Sequence, residues 1–294
     1  IRDRAIILTY TTTVQGACLP VSDFMTVTIT PRPVVAAGLD QTICSNTASI
    51  NIGGTNNGVS STVQWFTTGS GTFGNSTSLS TTYAPSAIDK AAGFIQLTLT
   101  TTDNGTCYPS TDPLTLFITP IPNVDAGPNN TVCADIMNTG VAMLPTVTNS
   151  LSGTWTTSGT GVFGASATTL NATYYPSAAD TTAGTVTLTY TAEGNSPCPQ
   201  VADNMQLIIN PVPIVDAGSD MTICNGTNAT LAGKVYNAGG GVWASSGTGS
   251  FVPDANTLTA TYIPSVADTT AGSVSLTLTS TGMGSCNPVS DILV

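Results

Sequence analysis

Histidine is missing from all 294 residues, Glu193 is the only glutamate, and lysine and arginine together number five. Acid–base and nucleophilic catalysis need titrating or attacking groups gathered in one constellation. Arg2, Arg4, Arg32, Lys90 and Lys234 recur at no repeated position, and the aspartates show no spacing that suggests a glycosidase cleft. The chain reads as a non-enzyme with no cofactor. Sixteen acidic residues give a net charge of −11. Nucleic acid and anionic membrane surfaces, which both require clustered Lys and Arg, are therefore not expected partners. No apolar run approaches the roughly 18 residues of a membrane-crossing helix, and no basic-then-apolar leader opens the sequence. Its first residues instead read as a strand interior, since Ala5–Thr11 aligns with Thr185–Thr191, and Ile292–Val294 matches the middle of Met205–Ile209. The expectation is a window on a longer array.

What the chain does contain is repetition. Trp65, Trp155 and Trp243 are spaced by 90 and 88 residues, and each is followed eight residues later by a phenylalanine, Phe73, Phe163 or Phe251. Between them lies Thr-Gly-Ser-Gly or Ser-Gly-Thr-Gly, which reads as a turn because it opens no helix that could hold a phosphate. Downstream come Tyr83-Ala-Pro-Ser-Ala-Ile-Asp89, Tyr174-Tyr-Pro-Ser-Ala-Ala-Asp180 and Tyr262-Ile-Pro-Ser-Val-Ala-Asp268. A period near 90 is too long for a solenoid turn and suits a self-sufficient small β domain. With 40% hydrophobic and 7% charged residues, and Thr, Ser, Asn and Gly filling the remainder, the composition is that of a folded, β-rich chain.

Pro31-Arg-Pro33, Pro120-Ile-Pro122 and Pro211-Val-Pro213 punctuate the array where missing amides and fixed φ stop sheet pairing. They divide it into residues 1–30, the last two strands of a truncated repeat; 31–120 and 121–211, two full repeats; and 212–294, a repeat truncated in its last strand. Each full repeat opens on Val35-Ala-Ala-Gly38, Val124-Asp-Ala-Gly127 or Val215-Asp-Ala-Gly218, a glycine-marked kink in a first strand. The strongest strands, such as Phe94–Thr100 and Thr185–Tyr190, alternate apolar residues with Thr or Gln, one face buried and one solvated. About seven strands per repeat and no helix longer than a turn predict an all-β chain of two-sheet sandwiches. Trp65, Trp155 and Trp243 would fill the gap of about 10 Å between the sheets. Ser86, Ser177 and Ser265 fit helix N-caps, with Asp89, Asp180 and Asp268 completing capping boxes. Calcium binding by those aspartates is the sharper alternative, although each repeat gathers few carboxylates for a cage.

All seven cysteines fall at two repeated positions. Cys44, Cys133 and Cys224 precede the second strand; Cys18, Cys107, Cys198 and Cys286 precede the last. Such placement points to disulfides and an oxidising, extracytoplasmic setting. Two pairings stay open. One lies within a repeat, joining Cys44 to Cys107, Cys133 to Cys198 and Cys224 to Cys286. In an immunoglobulin-like topology, however, those loops lie at opposite ends of a strand of about 23 Å, whereas bridged Cα atoms sit about 4.4 to 6.8 Å apart. The second pairing joins consecutive repeats, Cys44 to Cys198 and Cys133 to Cys286.

Val-Asp-Ala-Gly-x-Asp-x-Thr-Ile-Cys, the later Gly-x-Cys loop and the Pro-x-Pro linker resemble the tandem Ig-like or PKD-like repeats of secreted Bacteroidetes surface proteins. Gliding-motility adhesins and other type IX secretion substrates belong to that group. The resemblance covers the whole chain. It implies tandem Ig-like (PKD-like) β-sandwiches joined by short Pro-x-Pro linkers, in an extracellular filament or adhesin stalk at the cell surface. It also implies O-glycans at Asp-Thr-Thr motifs, with Thr181 and Thr269 as acceptors, whereas Asp89-Lys90 departs from that pattern. The expected partners are neighbouring repeats of the same chain or fibre. The rival readings are an array that binds polysaccharide or another surface, and spacers of a larger secreted enzyme.

Overall fold

The computed structural model describes residues 4–13, 16–57 and 62–294. Residues 1–3 and 14–15 of the expected first segment, with Arg2 among them, and 58–61 of the second lie outside the described residues. Strands dominate. Among the described residues the helical content comprises three six-residue α-helices, Ala87–Ala92, Ala178–Ala183 and Val266–Ala271, and a 3-10 turn at Ala134–Met137.

Residues 123–210 show the repeat complete. One sheet has the order Asn130–Cys133, Val201–Asn210, Thr185–Ala192, Gly153–Thr157, and the other Val141–Ala142, Thr173–Tyr175, Val162–Phe163. A short ladder between Asn123–Asp125 and Thr146–Thr148 accompanies them. This is an Ig-like β-sandwich, and its first strand is split. Asn123–Asp125 pairs antiparallel before the break, and Asn130–Cys133 pairs parallel with Leu207–Asn210 after it. The break falls at Gly127, whose φ of +96° repeats at Gly38 (+95°) and Gly218 (+96°). Only glycine takes that region without strain, so the crossover explains the residue.

Two further polar contacts pin each crossover. The amides of Ala37, Ala126 and Ala217 donate to Asp112, Asp203 and Asp291 at 2.8, 2.9 and 2.8 Å. Asp40, Asn129 and Asp220 accept from the last-strand amides of Thr115, Gln206 and Val294. The Asp or Asn that ends the Val-x-Ala-Gly-x-(Asp/Asn) signature is thus a strand clamp.

Three separate clusters of buried residues fill the sandwiches. They run from Val35 to Ile118, from Ala126 to Ile209 and from Ala217 to Leu293. Trp65, Trp155 and Trp243 are 1%, 2% and 2% exposed at their centres. Each indole N–H donates to a backbone carbonyl, of Ser78, Leu170 or Leu258, which satisfies the one polar atom that burial would otherwise penalise. Each indole also stacks on its phenylalanine, with ring centroids 5.9 to 6.4 Å apart. The phenylalanine in turn tilts against Tyr83, Tyr174 or Tyr262. The spacing of eight residues places Trp and Phe on facing sheets.

The expectation of no helix beyond a single turn is corrected. Each capping box launches six helical residues, ended by Gly93, Gly184 or Gly272 at φ of +75° to +83°. The left-handed glycine supplies the C-cap in each case. The third sandwich lacks the parallel ladder of its first strand. The expected match of Ile292–Val294 to the middle of Met205–Ile209 is corrected by two residues: Leu276 pairs with Leu293 as Leu188 pairs with Met205, so Val294 aligns with Gln206, just before the ladder partners Leu207–Asn210.

Candidate functional site

Two features recur with enough geometric definition to carry function: the disulfides and a buried carboxylate. Cys44 ends the strand Gln41–Cys44 of the first sandwich, and Cys198 lies in the loop before Val201–Asn210 of the second. They are bonded, with Cα atoms 4.8 Å apart. Cys133 and Cys286 form the equivalent bond one repeat further on, at 4.7 Å. Both bridges join consecutive repeats, so the pairing within a repeat is not the one adopted. In the parallel ladders Cys44 stands opposite Thr119 and Cys133 opposite Asn210, each the residue before a Pro-x-Pro linker. The loop cysteine arrives at that same carbonyl. The Cys198 sulfur lies 3.2 Å from the Thr119 oxygen and that of Cys286 lies 3.6 Å from the Asn210 oxygen. Cys18, Cys107 and Cys224 are free thiols.

Side-chain contacts reinforce the linkers. Ser45, beside the bonded Cys44, accepts from the Ile121 amide at 3.0 Å, and Arg32 in the first linker donates to the Pro109 carbonyl at 3.0 Å. Asn210 donates to Ser285 at 3.2 Å, next to the bonded Cys286.

The second feature is built from the Trp-to-Phe turn and the capping box together. In the second sandwich, Asp180 Oδ1 accepts from the Thr160 amide at 2.9 Å. Its Oδ2 accepts from the Gly161 amide, the Tyr174 hydroxyl and the Ser177 amide at 2.8 to 2.9 Å. Asp89 is held identically by Ser70, Gly71, Tyr83 and Ser86. Asp268 accepts from Thr248, Tyr262 and Ser265. The glycines of the turn are required by this approach. A Cβ on Gly159 would run into Asp180 Oδ1, and one on Gly161 would meet the Tyr174 hydroxyl at 2.5 Å.

The chemistry of the three carboxylates follows from their donors. Burial pushes Asp89 and Asp180 up, but the amides of Ser70 and Ser86, or of Ser177 and Thr160, together with the tyrosine hydroxyl, outweigh it. Both groups end below the ordinary carboxylate range. Asp268 is lowered first by the Ser265 amide and then by that of Thr248. Burial raises the partner tyrosines, Tyr174 to about 12. The hub is therefore a fixed anion clasped by neutral donors.

The sequence singled out Asp89, Asp180 and Asp268 for a capping box or calcium. The structure makes each the N3 residue of a reciprocal capping box with Ser86, Ser177 or Ser265. These three residues are 1%, 2% and 5% exposed, and both carboxylate oxygens are occupied by donors that a cation would have to displace. Among the described residues, no group of three or more Asp, Glu, Cys or His lies close enough to hold a metal. Sequence reasoning treated the glycine-rich turn and the aspartate as separate signals. Their link left a trace in the near-constant interval of 19 or 20 residues from the first clasping turn amide to the carboxylate. Thr181 is partly exposed and Thr269 exposed, their hydroxyls donating to the carbonyls of Ala178 and Val266.

No family model matches the chain, and none of the curated proteins does. Among solved structures it is similar to titin domains I67–I69, at 13% identity and a TM-score of 0.47 over 89% of this chain and 97% of that one. It is also similar to the extracellular cadherin domains 1–4 of protocadherin gamma B7, at 13% identity and a TM-score of 0.42 over 98% and 82% of the two chains. The immunoglobulin domains 1–5 of Sidekick-1 match at 13% identity and a TM-score of 0.37 over 97% and 64%.

Proposed function

We propose that this chain is a load-bearing repeat region of an extracellular filament or adhesin stalk, in which Ig-like sandwiches transmit tension between a cell surface and whatever the far end grips. The observation that carries the reading is the placement of both disulfides between consecutive repeats. A bond inside a sandwich protects one fold, whereas a bond across a linker protects the connection. Tension is what makes a connection the weak point. Disulfides of this kind persist outside the reducing cytoplasm, which favours a secreted location. The resemblance to secreted Bacteroidetes repeats points the same way and names Thr181 and Thr269 as glycan acceptors.

The test is immunogold labelling of intact, unpermeabilised cells of the source organism, with and without a brief protease treatment. Label on thread-like surface material that the treatment removes is the expected result. Label confined to the cell interior would overturn the reading. On the same cells, Cys198→Ser is expected to leave the material in place but lower the shear at which it detaches.

A further inference from the structure

Among the described residues, the hairpin of Arg4–Thr11 and Ser22–Ile29 has no opposing sheet over its core-facing side chains. Ile6, Leu8 and Tyr10 align with Val186, Leu188 and Tyr190, and Met25, Val27 and Ile29 with Met205, Leu207 and Ile209. In the complete repeat the latter three are 5%, 0% and 1% exposed; in the hairpin Met25, Val27 and Ile29 are 60%, 37% and 49% exposed. Among the described residues no strand pairs with the outer edge of Ser22–Ile29, whereas the equivalent edge in the two following sandwiches carries the parallel strand Gln41–Cys44 or Asn130–Cys133.

A second observation falls at the same place. The Cys107 sulfur lies 3.8 Å from the Thr30 carbonyl. Thr30 precedes Pro31 as Thr119 precedes Pro120 and Asn210 precedes Pro211. Those are the carbonyls that the bonded sulfurs of Cys198 and Cys286 approach, and the residue across each ladder is the bonded partner, Cys44 or Cys133. Cys107 therefore occupies the loop half of a staple, and the strand half would stand opposite Thr30.

We infer that the hairpin is a docking face for the N-terminal part of another repeat of this kind, and that Cys107 forms a disulfide with the first-strand cysteine of that repeat. The inference rests on the tandem-repeat reading and extends it by one junction. The occupant is defined by chemistry. It carries a strand of the form x-Thr-(Ile/Val)-Cys running parallel to Val27–Thr30, a Trp-bearing strand that pairs beside Arg4–Thr11 as Gly153–Thr157 pairs beside Thr185–Ala192, and an opposing sheet with a Phe and a Tyr to cover Ile6, Leu8, Met25, Val27 and Ile29. Bond formation joins the two sulfurs. The two thiols surrender two protons and two electrons to a low-molecular-weight disulfide, which leaves as two thiols.

The test adds such an occupant to the intact chain. A copy of residues 121–184 placed directly before Ala5 supplies it, because Thr185 aligns with Ala5. After refolding with glutathione disulfide, the expected result is a non-reduced peptide pair joining the added cysteine to Cys107. Free thiols should fall from the present three, Cys18, Cys107 and Cys224, to Cys18 and Cys224 alone. Amide exchange in Ser22–Ile29 should slow at least about tenfold as its core face and edge are covered. A bond from the added cysteine to Cys18, or its survival as a thiol beside a free Cys107, overturns the inference. A second donor copied from residues 30–93, which carries Cys44, guards against a misfolded fusion; if neither donor protects the hairpin amides, the docking face does not exist. Either failure leaves the Cys44–Cys198 and Cys133–Cys286 bonds, and the surface labelling, untouched.

Discussion

Pulling the chain by its two ends gives the sharpest quantitative test of the interleaved bridges. Cys133 lies inside the loop closed by Cys44 and Cys198, and Cys198 lies inside the loop closed by Cys133 and Cys286. Under tension, the shortest covalent route crosses from Cys44 to Cys198, returns to Cys133, crosses to Cys286 and continues to the end. That route is about 118 residue steps, against about 293 for the open chain, each contributing about 3.6 Å at full extension. In force spectroscopy the oxidised protein should therefore stretch to about 40 nm, and the reduced protein to about 105 nm. Cys198→Ser removes the first crossing but keeps Cys133–Cys286, and should give about 50 nm. Equal extension with and without reductant would refute both the pairing and the mechanical reading built on it.

Asp180→Asn should destabilise its own repeat by about 2–5 kcal/mol, since an amide cannot accept from all four donors and each orphaned one costs about 1–3 kcal/mol. Tyr174→Phe removes one donor and should cost less; amide exchange of Thr185–Ala192 reads both. Because the folded carboxyls of Asp89 and Asp180 are depressed, their contribution is complete above the unfolded value near 4 and fades as pH falls through the folded one. Urea midpoints should therefore drop below about pH 4, and less so in Asp180→Asn. Tyr174, raised to about 12, contributes fully below the unfolded value near 10 and loses its contribution as pH climbs toward 12. Trp155→Ala opens a cavity at the centre of one sandwich and should cost about 3–5 kcal/mol by denaturant unfolding, leaving the other two cores intact.

Much of the fold was legible because local rules and tertiary needs coincide. The apolar-Thr alternation of Thr185–Tyr190 marks a strand with one wet face, and the structure buries Val186, Leu188 and Tyr190 while leaving the threonines at the surface or partly so. The kink glycines and the serine caps are likewise dictated by backbone geometry that any reader of the chain can infer. The disulfide partners were not fixed, because the choice between Cys107 and Cys198 for Cys44 depends on which end of a sandwich each loop occupies. The carboxylate hub was hidden for a different reason. The N–H groups that clasp Asp89, Asp180 and Asp268 come from the backbone of a turn and leave no trace in side-chain identity. Only the paired glycines, which make room for the oxygen atoms, hinted at them.

The crossed bonds also decide what happens when the backbone is cut. A single nick anywhere between Cys44 and Cys286 is spanned by at least one sulfur bridge, since one loop begins before the other ends. The two fragments stay joined, and a protease must strike more than once, with the strikes suitably placed, before the protein parts. A molecule exposed to the digestive enzymes of its surroundings would thus survive its first wounds without losing continuity.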